Sequence, residues 1–190
     1  MSKKTNTVLL IVFFALIIAM SAFLYNELTR EYAPDQDLIQ IGAETKEGKG
    51  NLKKAEDFMV VNIDGKYVKL SDMLGRPVVV NFWASWCSPC KEEMPEFNKV
   101  YEEYGTAVAF MMVDLVDGNR ETREKGLKFI TSRGYRFPVY FDMYQEAAKA
   151  YGITSIPMTL FIDKDGYIVT KAIGAIDEDT LKKGIELIRK

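Results

Sequence analysis

The chain has 190 residues, of which 48% are hydrophobic and 27% are charged, and its formal net charge is −2. This balance is typical of a globular protein, and it lacks the basic excess that nucleic-acid binding requires. The chain contains two cysteines and no histidine, whereas a structural zinc site needs about four such ligands. We therefore expect no bound metal, no cofactor and no nucleic acid.

An uncharged apolar run from Val8 to Leu24 follows two lysines near the N-terminus. Seventeen helical residues would extend about 26 Å, the short end of the length that crosses a bilayer. We interpret residues 1–25 as an uncleaved membrane anchor; a cleaved signal peptide and a buried core helix are the alternatives. A signal peptide has a shorter apolar region and a small-x-small cleavage site, whereas the nearest such site, Met20-Ser21-Ala22, begins with a bulky residue.

The charges on either side of this run predict its orientation. Lys3 and Lys4 precede the run, and mostly acidic residues follow it. Because positively charged flanks stay in the cytoplasm, we expect the bulk of the chain outside it, where disulfides persist. Residues 26–55 are polar and poorly patterned, which predicts a linker with a short strand near Ile39. We place the folded domain over residues 56–190.

The remaining sequence predicts alternating strands and helices. Asp64-Gly65 and Asp165-Gly166 are hairpin turn signals, and the nearly continuous apolar run Val78–Trp83 is typical of a strand covered on both faces. The predicted elements are, in chain order, a hairpin over 58–70, a strand over 78–83, a helix over 87–104 that contains Pro95, a strand over 108–116, a helix over 121–133, a strand over 137–141, a helix over 145–151, strands over 158–162 and 167–173, and a helix over 177–188 capped by Asp177. This order predicts an α/β domain with a central mixed sheet of about five strands flanked by helices, plus an N-terminal hairpin.

The two cysteines, Cys87 and Cys90, lie two residues apart at the junction between a predicted strand and a predicted helix. Unpaired N–H groups and the dipole at a helix start favour a thiolate, so we expect the pKa of Cys87 to lie below the free value of about 8.5. Cys90, one turn later, is the expected resolving thiol. The predicted chemistry is disulfide exchange through a mixed disulfide; the alternative is a pair of inert buried thiols.

The segment Phe82-Trp-Ala-Ser-Trp-Cys-Ser-Pro-Cys-Lys91 resembles the active site of thioredoxin-fold proteins. A longer pattern resembles the membrane-anchored TlpA/ResA/CcmG-like thiol–disulfide oxidoreductases; it consists of Gly65-Lys66, Leu70-Ser-Asp72, Gly75-Arg-Pro77 and Lys91-Glu-Glu-Met-Pro95. The resemblance extends from about Phe58 to the C-terminus. It implies a thioredoxin-like fold and a single-pass protein of a bacterial cell membrane, with the catalytic domain on the extracytoplasmic side. Members reduce disulfides of exported proteins such as apocytochrome c, with electrons from a membrane-embedded thiol relay.

The resemblance also assigns residues outside the cysteine pair. Ile156-Pro157 matches a loop whose cis-proline faces the cysteines and whose backbone would pair with a partner peptide; an ordinary trans proline is the alternative. Glu93 matches an acidic position near the active site, where burial would raise its pKa and let it exchange a proton with Cys90; the alternative is a solvated helix charge. Trp86 is expected on the docking surface. Asn81 stands where thioredoxin has a buried aspartate.

Other functions remain open at this level. The Ser-Pro dipeptide between the cysteines does not determine the reduction potential, so a disulfide-donating oxidase is an alternative. An electron donor to an extracytoplasmic methionine sulfoxide reductase and a non-catalytic binding module are others. A peroxiredoxin-type peroxidase is less favoured, because it would need Thr or Ser three residues before the reactive cysteine, where this chain has Ala84. We expect the loop near residues 117–123 and the surface around Ile156 to select the substrate.

Overall fold

The computed structural model describes residues 12–24, 39–40 and 52–190. Residues 12–24 form a helix, α1, whose side chains are exposed; it belongs to the first of two units into which the chain divides after Asp35. Among the described residues, no helix combines the length and the apolar character that a membrane crossing requires. The rest of the predicted anchor and most of the predicted linker lie outside the described residues.

The second unit alternates strands and helices along the described chain. Its strands are β1 (Ile39–Gln40), β2 (Met59–Asn62), β3 (Tyr67–Lys69), β4 (Val78–Trp83), β5 (Ala109–Asp114), β6 (Val139–Phe141), β7 (Met158–Ile162) and β8 (Ile168–Ile173). Its helices are α2 (Ser88–Tyr104), α3 (Arg123–Arg133), α4 (Glu146–Ala150) and α5 (Glu178–Ile188), with a 3-10 turn at Leu70–Met73. The predicted elements are all present, and their bounds differ from the prediction by at most two residues.

The described strands form one eight-stranded sheet in the order β1-β8-β7-β4-β5-β6-β2-β3. The central strands β4, β5 and β6 are parallel, and the strands outside them pair antiparallel. The five strands β4 to β8 form the predicted central mixed sheet, and the predicted N-terminal hairpin is β2–β3. The hairpin β2–β3 adds to the sheet because β2 pairs with β6, and β1 adds to the opposite edge beside β8. Both additions satisfy backbone groups that an open edge would leave unpaired.

The central strand β4 supplies side chains to two cores, one on each face of the sheet. Val79 and Trp83 pack with α2, α3 and α5 on one face, whereas Val78, Val80 and Phe82 pack on the other. Every residue of β4 is buried, as its nearly continuous apolar sequence predicts. Because side chains of a strand alternate between faces, this strand needs apolar residues at almost every position.

Candidate active site

The cysteine pair lies where β4 ends and α2 begins. The chain leaves β4 at Trp83 and makes a tight turn in which the Cys87 N–H donates to the Ala84 carbonyl oxygen at 3.1 Å. We call residues 84–87 the active-site turn. Cys87 caps α2, with its Sγ accepting from the Cys90 N–H at 3.2 Å. The first sulfur is therefore at the helix start, as the sequence predicts.

Cys87 and Cys90 form a disulfide with a Cα–Cα distance of 5.3 Å. The exposed fraction of Cys87 is 4% and that of Cys90 is 0%. Pro89 lies between them in the first turn of α2, where its missing N–H costs no helical hydrogen bond. Cys87 is thus the sulfur nearer to solvent, and it is the one that a partner disulfide can approach.

The loop before β7 lies directly beside the first sulfur. The Cys87 Sγ is 3.7 Å from the carbonyl oxygen of Ile156, and the Ile156–Pro157 peptide bond is cis, as the resemblance implies. This proximity follows from the sheet order, because β7 pairs with β4 through Phe82 and Met158. The Ile156 backbone is therefore available beside the sulfur for a peptide that reaches it.

Glu93 is buried on the inner face of α2, with an exposed fraction of 2%. Its Oε1 accepts from the Asn81 side-chain amide at 2.8 Å, and its Oε2 accepts from the Ile176 N–H at 3.0 Å. Burial raises the pKa of Glu93 to about 8, although both hydrogen bonds act in the opposite direction. Glu93 is thus an enclosed group that keeps a proton at neutral pH, and it is not a solvated helix charge. The neighbouring Glu92 is exposed.

Trp86 is the exposed aromatic of the site, with 42% of its surface accessible. The Arg120 guanidinium lies over its ring, 3.6 Å from the ring centroid. A cleft opens beside Trp86. Its other lining residues come from the loop after β5, from α4 with its N-cap, and from the loop before β7. They are Leu115, Val116, Asp117, Gln145, Ala148, Ile153, Thr154, Ser155 and Ile156. The cleft therefore connects the loop predicted to select substrates with Ile156. Trp83, by contrast, is fully buried in the core.

Two acidic residues that the sequence analysis passed over lie behind the active-site turn. Glu121 is fully buried, and its Oε2 accepts from both the backbone N–H and the hydroxyl of Ser85, each at 2.7 Å. Asp114, the last residue of β5, is also fully buried. The position of Asp114 at the end of an apolar strand was an available signal. Glu121 gave none of its own, because the sequence predicts it as the first residue of a helix.

No group of three or more cysteine or carboxylate side chains in the described ranges is arranged to hold a metal ion. The chemistry that the site supports is carried by its two sulfurs. The active-site turn presents one of them near the surface, the helix encloses the other, and a buried acid lies one turn further along the same helix. This arrangement suits thiol–disulfide exchange.

Comparison with known proteins agrees with this chemistry. The AhpC/TSA family model matches residues 52–171. The thiol–disulfide oxidoreductase ResA of Bacillus anthracis is 32% identical over 182 residues, covering 94% of this chain and 95% of that protein. The solved structure of StoA from Bacillus subtilis is 28% identical with a TM-score of 0.60, covering 68% of this chain and 96% of that one. The pneumococcal exposed lipoprotein thioredoxin Etrx1 from Streptococcus pneumoniae is 30% identical with a TM-score of 0.61, covering 70% of this chain and 100% of that one. This chain therefore belongs to the AhpC/TSA family of thioredoxin-like proteins and is a thiol–disulfide oxidoreductase of the ResA type, with Cys87 and Cys90 as its redox pair.

Proposed function

We propose that the protein is a reductase that transfers two electrons from the Cys87–Cys90 dithiol to disulfides of exported proteins, outside the cytoplasm. The observation that carries the proposal is the position of the first sulfur. Cys87 caps α2 and lies 3.7 Å from the Ile156 carbonyl oxygen. A substrate cysteine that approaches this sulfur therefore meets backbone groups with which its own chain can pair.

The reaction has two exchange steps. In the reduced protein, the Cys87 thiolate attacks one sulfur of the substrate disulfide, which forms a mixed disulfide and releases the other substrate sulfur as a thiolate. The Cys90 thiolate then attacks Cys87, which restores the Cys87–Cys90 disulfide and releases the second substrate sulfur. The protein loses two electrons and the substrate gains them. A second dithiol must then reduce the protein again.

Glu93 supports the second step. Cys90 is fully enclosed, so its thiol must lose a proton inside the protein before it can attack. Glu93 follows Cys90 by three residues and lies on the same buried face of α2. With a pKa near 8, its carboxyl exchanges a proton readily close to neutral pH. We assign the ionised fraction of Glu93 the role of accepting the Cys90 proton, and its protonated form the role of returning one.

Substrate binding is assigned to the surface that surrounds the first sulfur. Ile156 and Pro157 offer a short stretch of backbone to an extended peptide, which would pair with it strand against strand. Trp86 contributes an exposed aromatic face beside Cys87. Such a surface recognises the backbone around a cysteine more than any particular side chain, which suits a reductase with several protein substrates.

The proposed location rests on the sequence. The apolar run Val8–Leu24 with lysines before it supports a single-pass anchor in a bacterial cell membrane, with the catalytic domain on the extracytoplasmic side. A domain in that position would receive electrons from a membrane-embedded thiol relay. Its substrates would be exported proteins with disulfides, of which apocytochrome c is the example that the family resemblance suggests.

The proposal is tested by trapping substrates in native membranes with the Cys90→Ala variant. This variant can form the mixed disulfide but cannot resolve it, so proteins should accumulate on Cys87 and be released by dithiothreitol. The Cys87→Ala variant is the matched control and should trap nothing. Exported cysteine-containing proteins in the trap support the proposal, whereas capture of cytoplasmic proteins, or of nothing, contradicts it.

The direction of electron flow needs a separate measurement. Equilibration with glutathione gives the reduction potential, which for a reductase should lie near or below thioredoxin's value of about −270 mV, far from the value of about −120 mV of a strong oxidant. A potential near the second value would show that the protein donates disulfides. Trapping of a methionine sulfoxide reductase would identify that enzyme as the electron acceptor.

A further inference from the structure

The two buried acids behind the active-site turn have no part in the chemistry assigned above. Trp83 and Asp114 are register partners on the adjacent strands β4 and β5, and Glu121 lies in the loop between β5 and α3. In the described part of the chain, four buried polar atoms of these residues have no hydrogen-bond partner: Trp83 Nε1, both carboxylate oxygens of Asp114, and Glu121 Oε1. Buried acids without partners are costly, so their presence next to a reactive site requires a reason.

Glu121 is attached directly to the active-site turn. Ser85 is an inner residue of that turn, and both its N–H and its hydroxyl donate to Oε2 of Glu121 at 2.7 Å. The loop that carries Glu121 is itself closed, because the Glu121 N–H donates to Asp117 Oδ1 at 2.9 Å and the Gly118 N–H donates to the Glu121 carbonyl oxygen at 3.0 Å. The carboxylate is thus held firmly against the turn that presents Cys87.

The two acids differ in their partners, because the Glu121 carboxylate accepts both donors of Ser85, whereas neither oxygen of Asp114 has a partner. Burial, followed by the charges of Glu121 and Asp117, raises the pKa of Asp114 to about 9, so Asp114 keeps its proton at neutral pH. Two basic side chains near this loop are engaged elsewhere. Lys125 donates to the carbonyl oxygens of Asn119 and Arg120, and the guanidinium of Arg120 lies over Trp86. The hydrogen bonds that the Glu121 carboxylate accepts in the structure come from the N–H and the hydroxyl of Ser85.

We propose, resting on the function proposed above, that Glu121 is a positioning residue whose buried charge keeps the Cys87–Cys90 dithiol strongly reducing. The start of α2 favours the Cys87 thiolate, and a stabilised thiolate makes a cysteine pair more oxidising. A buried negative charge against the same turn acts in the opposite direction, because it disfavours a second negative charge nearby. Glu121 therefore offsets part of the helix effect while it holds the turn in place.

The test compares the equilibrium constant of the cysteine pair against glutathione at neutral pH in purified variants. Glu121→Gln keeps an oxygen that can accept from Ser85 but removes the charge. It should shift the equilibrium toward the dithiol by about threefold to tenfold. The matched control is Glu124→Gln, which removes the same charge from an exposed position in the first turn of α3. That control and Asp114→Asn, which replaces a neutral group, should each stay within about twofold of the wild type.

A second pair of measurements keeps the proposal testable if the Glu121→Gln variant does not fold. Ser85→Ala removes one donor and leaves the charge, so the equilibrium should stay or move toward the disulfide; a shift toward the dithiol would overturn the proposal. Amide hydrogen exchange of the wild-type protein should show Ser85 protected in both redox states, because its N–H is bound to a buried carboxylate. Fast exchange at Ser85 would overturn the positioning role.

An unchanged equilibrium in Glu121→Gln, or an equal shift in Glu124→Gln, would overturn the electrostatic role. These readouts are independent of the direction in which the protein works in the cell. If substrate trapping instead identified the protein as an oxidase, the coupling between Glu121 and the cysteine pair would still be measured. If the coupling failed, Cys87 and Cys90 would still exchange disulfides, so the two proposals fail separately.

Discussion

The side-chain amide of Asn81 donates to the carboxylate of Glu93 at 2.8 Å in the interior of the protein. The same amide group also donates to the Thr159 hydroxyl at 3.1 Å, so it joins β4, β7 and α2. The other carboxylate oxygen of Glu93 accepts from the Ile176 N–H, at the entrance to α5. Glu93 thus links the helix of the cysteine pair directly to β4 and to the segment before α5, and through Asn81 to β7.

The buried position of Glu93 predicts that the protein loses stability as the pH rises. In the unfolded chain the carboxyl ionises near its ordinary pKa of 4.5, whereas in the folded protein it keeps its proton up to about pH 8. The unfolded state therefore binds fewer protons across this window, and the free energy of unfolding falls as the pH rises through it. Asp114, whose pKa is about 9 instead of 3.8, acts in the same direction.

Glu93→Gln should remove the share of this pH dependence that belongs to Glu93. Glutamine has the shape of the protonated acid, and its amide can donate to the otherwise unpartnered Oδ1 of Asn81 if that side chain rotates. Urea unfolding should show similar stabilities for variant and wild type near pH 4.5, and an advantage of roughly 3–5 kcal/mol for the variant at pH 8. Parallel stability curves for the two proteins would contradict the elevated pKa.

The sequence left two interpretations of Glu93 open, a buried acid and a solvated helix charge. The structure shows that it is buried. The sequence alone could not decide, because contacts distant in sequence determine the burial. Glu92 and Glu93 are identical neighbours in sequence, but only one lies on the inner face of α2. The helix period predicts that the two face different directions, and the register of α2 against the sheet determines which one is enclosed. Its partners Asn81 and Ile176, and Thr159 beyond Asn81, lie in β4, in the segment before α5 and in β7, which no local pattern connects.

The fold is likewise predictable where local signals determine it and unpredictable where distant contacts do. Local signals predict β4 from its apolar sequence, the hairpin from Asp64-Gly65, and the start of α5 from Asp177, whose Oδ1 accepts from the Thr180 N–H. The attachment of the hairpin beside β6 was not predictable, because the apolar pattern of a strand does not state which sheet edge it joins. Glu121 was missed for a related reason. Its sequence context indicates the first turn of a helix, but α3 begins at Arg123 after the Thr122 cap, which leaves Glu121 free to turn inward.

The proposed proton transfer predicts a specific kinetic defect. Glu93→Gln should slow the resolution of a mixed disulfide by about 10²-fold, because Cys90 loses its internal proton acceptor. The first attack by Cys87 should be unaffected. Rapid-mixing experiments with a peptide disulfide separate the two steps, and resolution should lose its pH dependence near pH 8 in the variant. Glu92→Gln, on the exposed side of the same helix turn, is the control and should match the wild type. Equal slowing in both variants would contradict the role of Glu93.

Gly126 is predicted to be essential for the packing of α3 against the buried acid Asp114. Replacing a glycine inside an exposed helix by alanine normally stabilises the protein by about 1 kcal/mol. Here a methyl group would overlap the Asp114 carboxylate and touch the ring of Phe141, and overpacking of this kind costs about 1–3 kcal/mol. We therefore expect Gly126→Ala to be destabilising in urea unfolding, whereas Lys128→Ala on the exposed side of α3 should change little.

A double-variant cycle identifies the contact responsible. In an Asp114→Ala background the obstructing carboxylate is gone, so Gly126→Ala should become neutral or stabilising there. Additive effects of the two substitutions would show that the cost arises elsewhere, either in the helix backbone or at Phe141.

The stack of Arg120 on Trp86 predicts that this arginine affects substrate binding without taking part in electron transfer. The guanidinium lies 3.6 Å from the centroid of the ring and restrains the one exposed tryptophan of the described residues. A cation–π contact at an exposed site contributes about 0.5–1 kcal/mol. If Trp86 belongs to the docking surface, Arg120→Ala should raise the KM for protein disulfides about twofold to fivefold and leave kcat unchanged.

Quenching of tryptophan fluorescence tests whether Arg120 covers the Trp86 ring. Trp83 is fully buried and Trp86 is not, so added acrylamide quenches mainly Trp86, and the quenching should increase when Arg120 no longer covers its ring. Arg133→Ala is the matched control, since Arg133 lies over Phe129 at 5.8 Å and contacts neither tryptophan ring in the structure. It should leave both KM and quenching unchanged. Increased quenching with an unchanged KM would show that the stack covers Trp86 but that substrates do not use this ring, and the docking role of Trp86 would then be wrong.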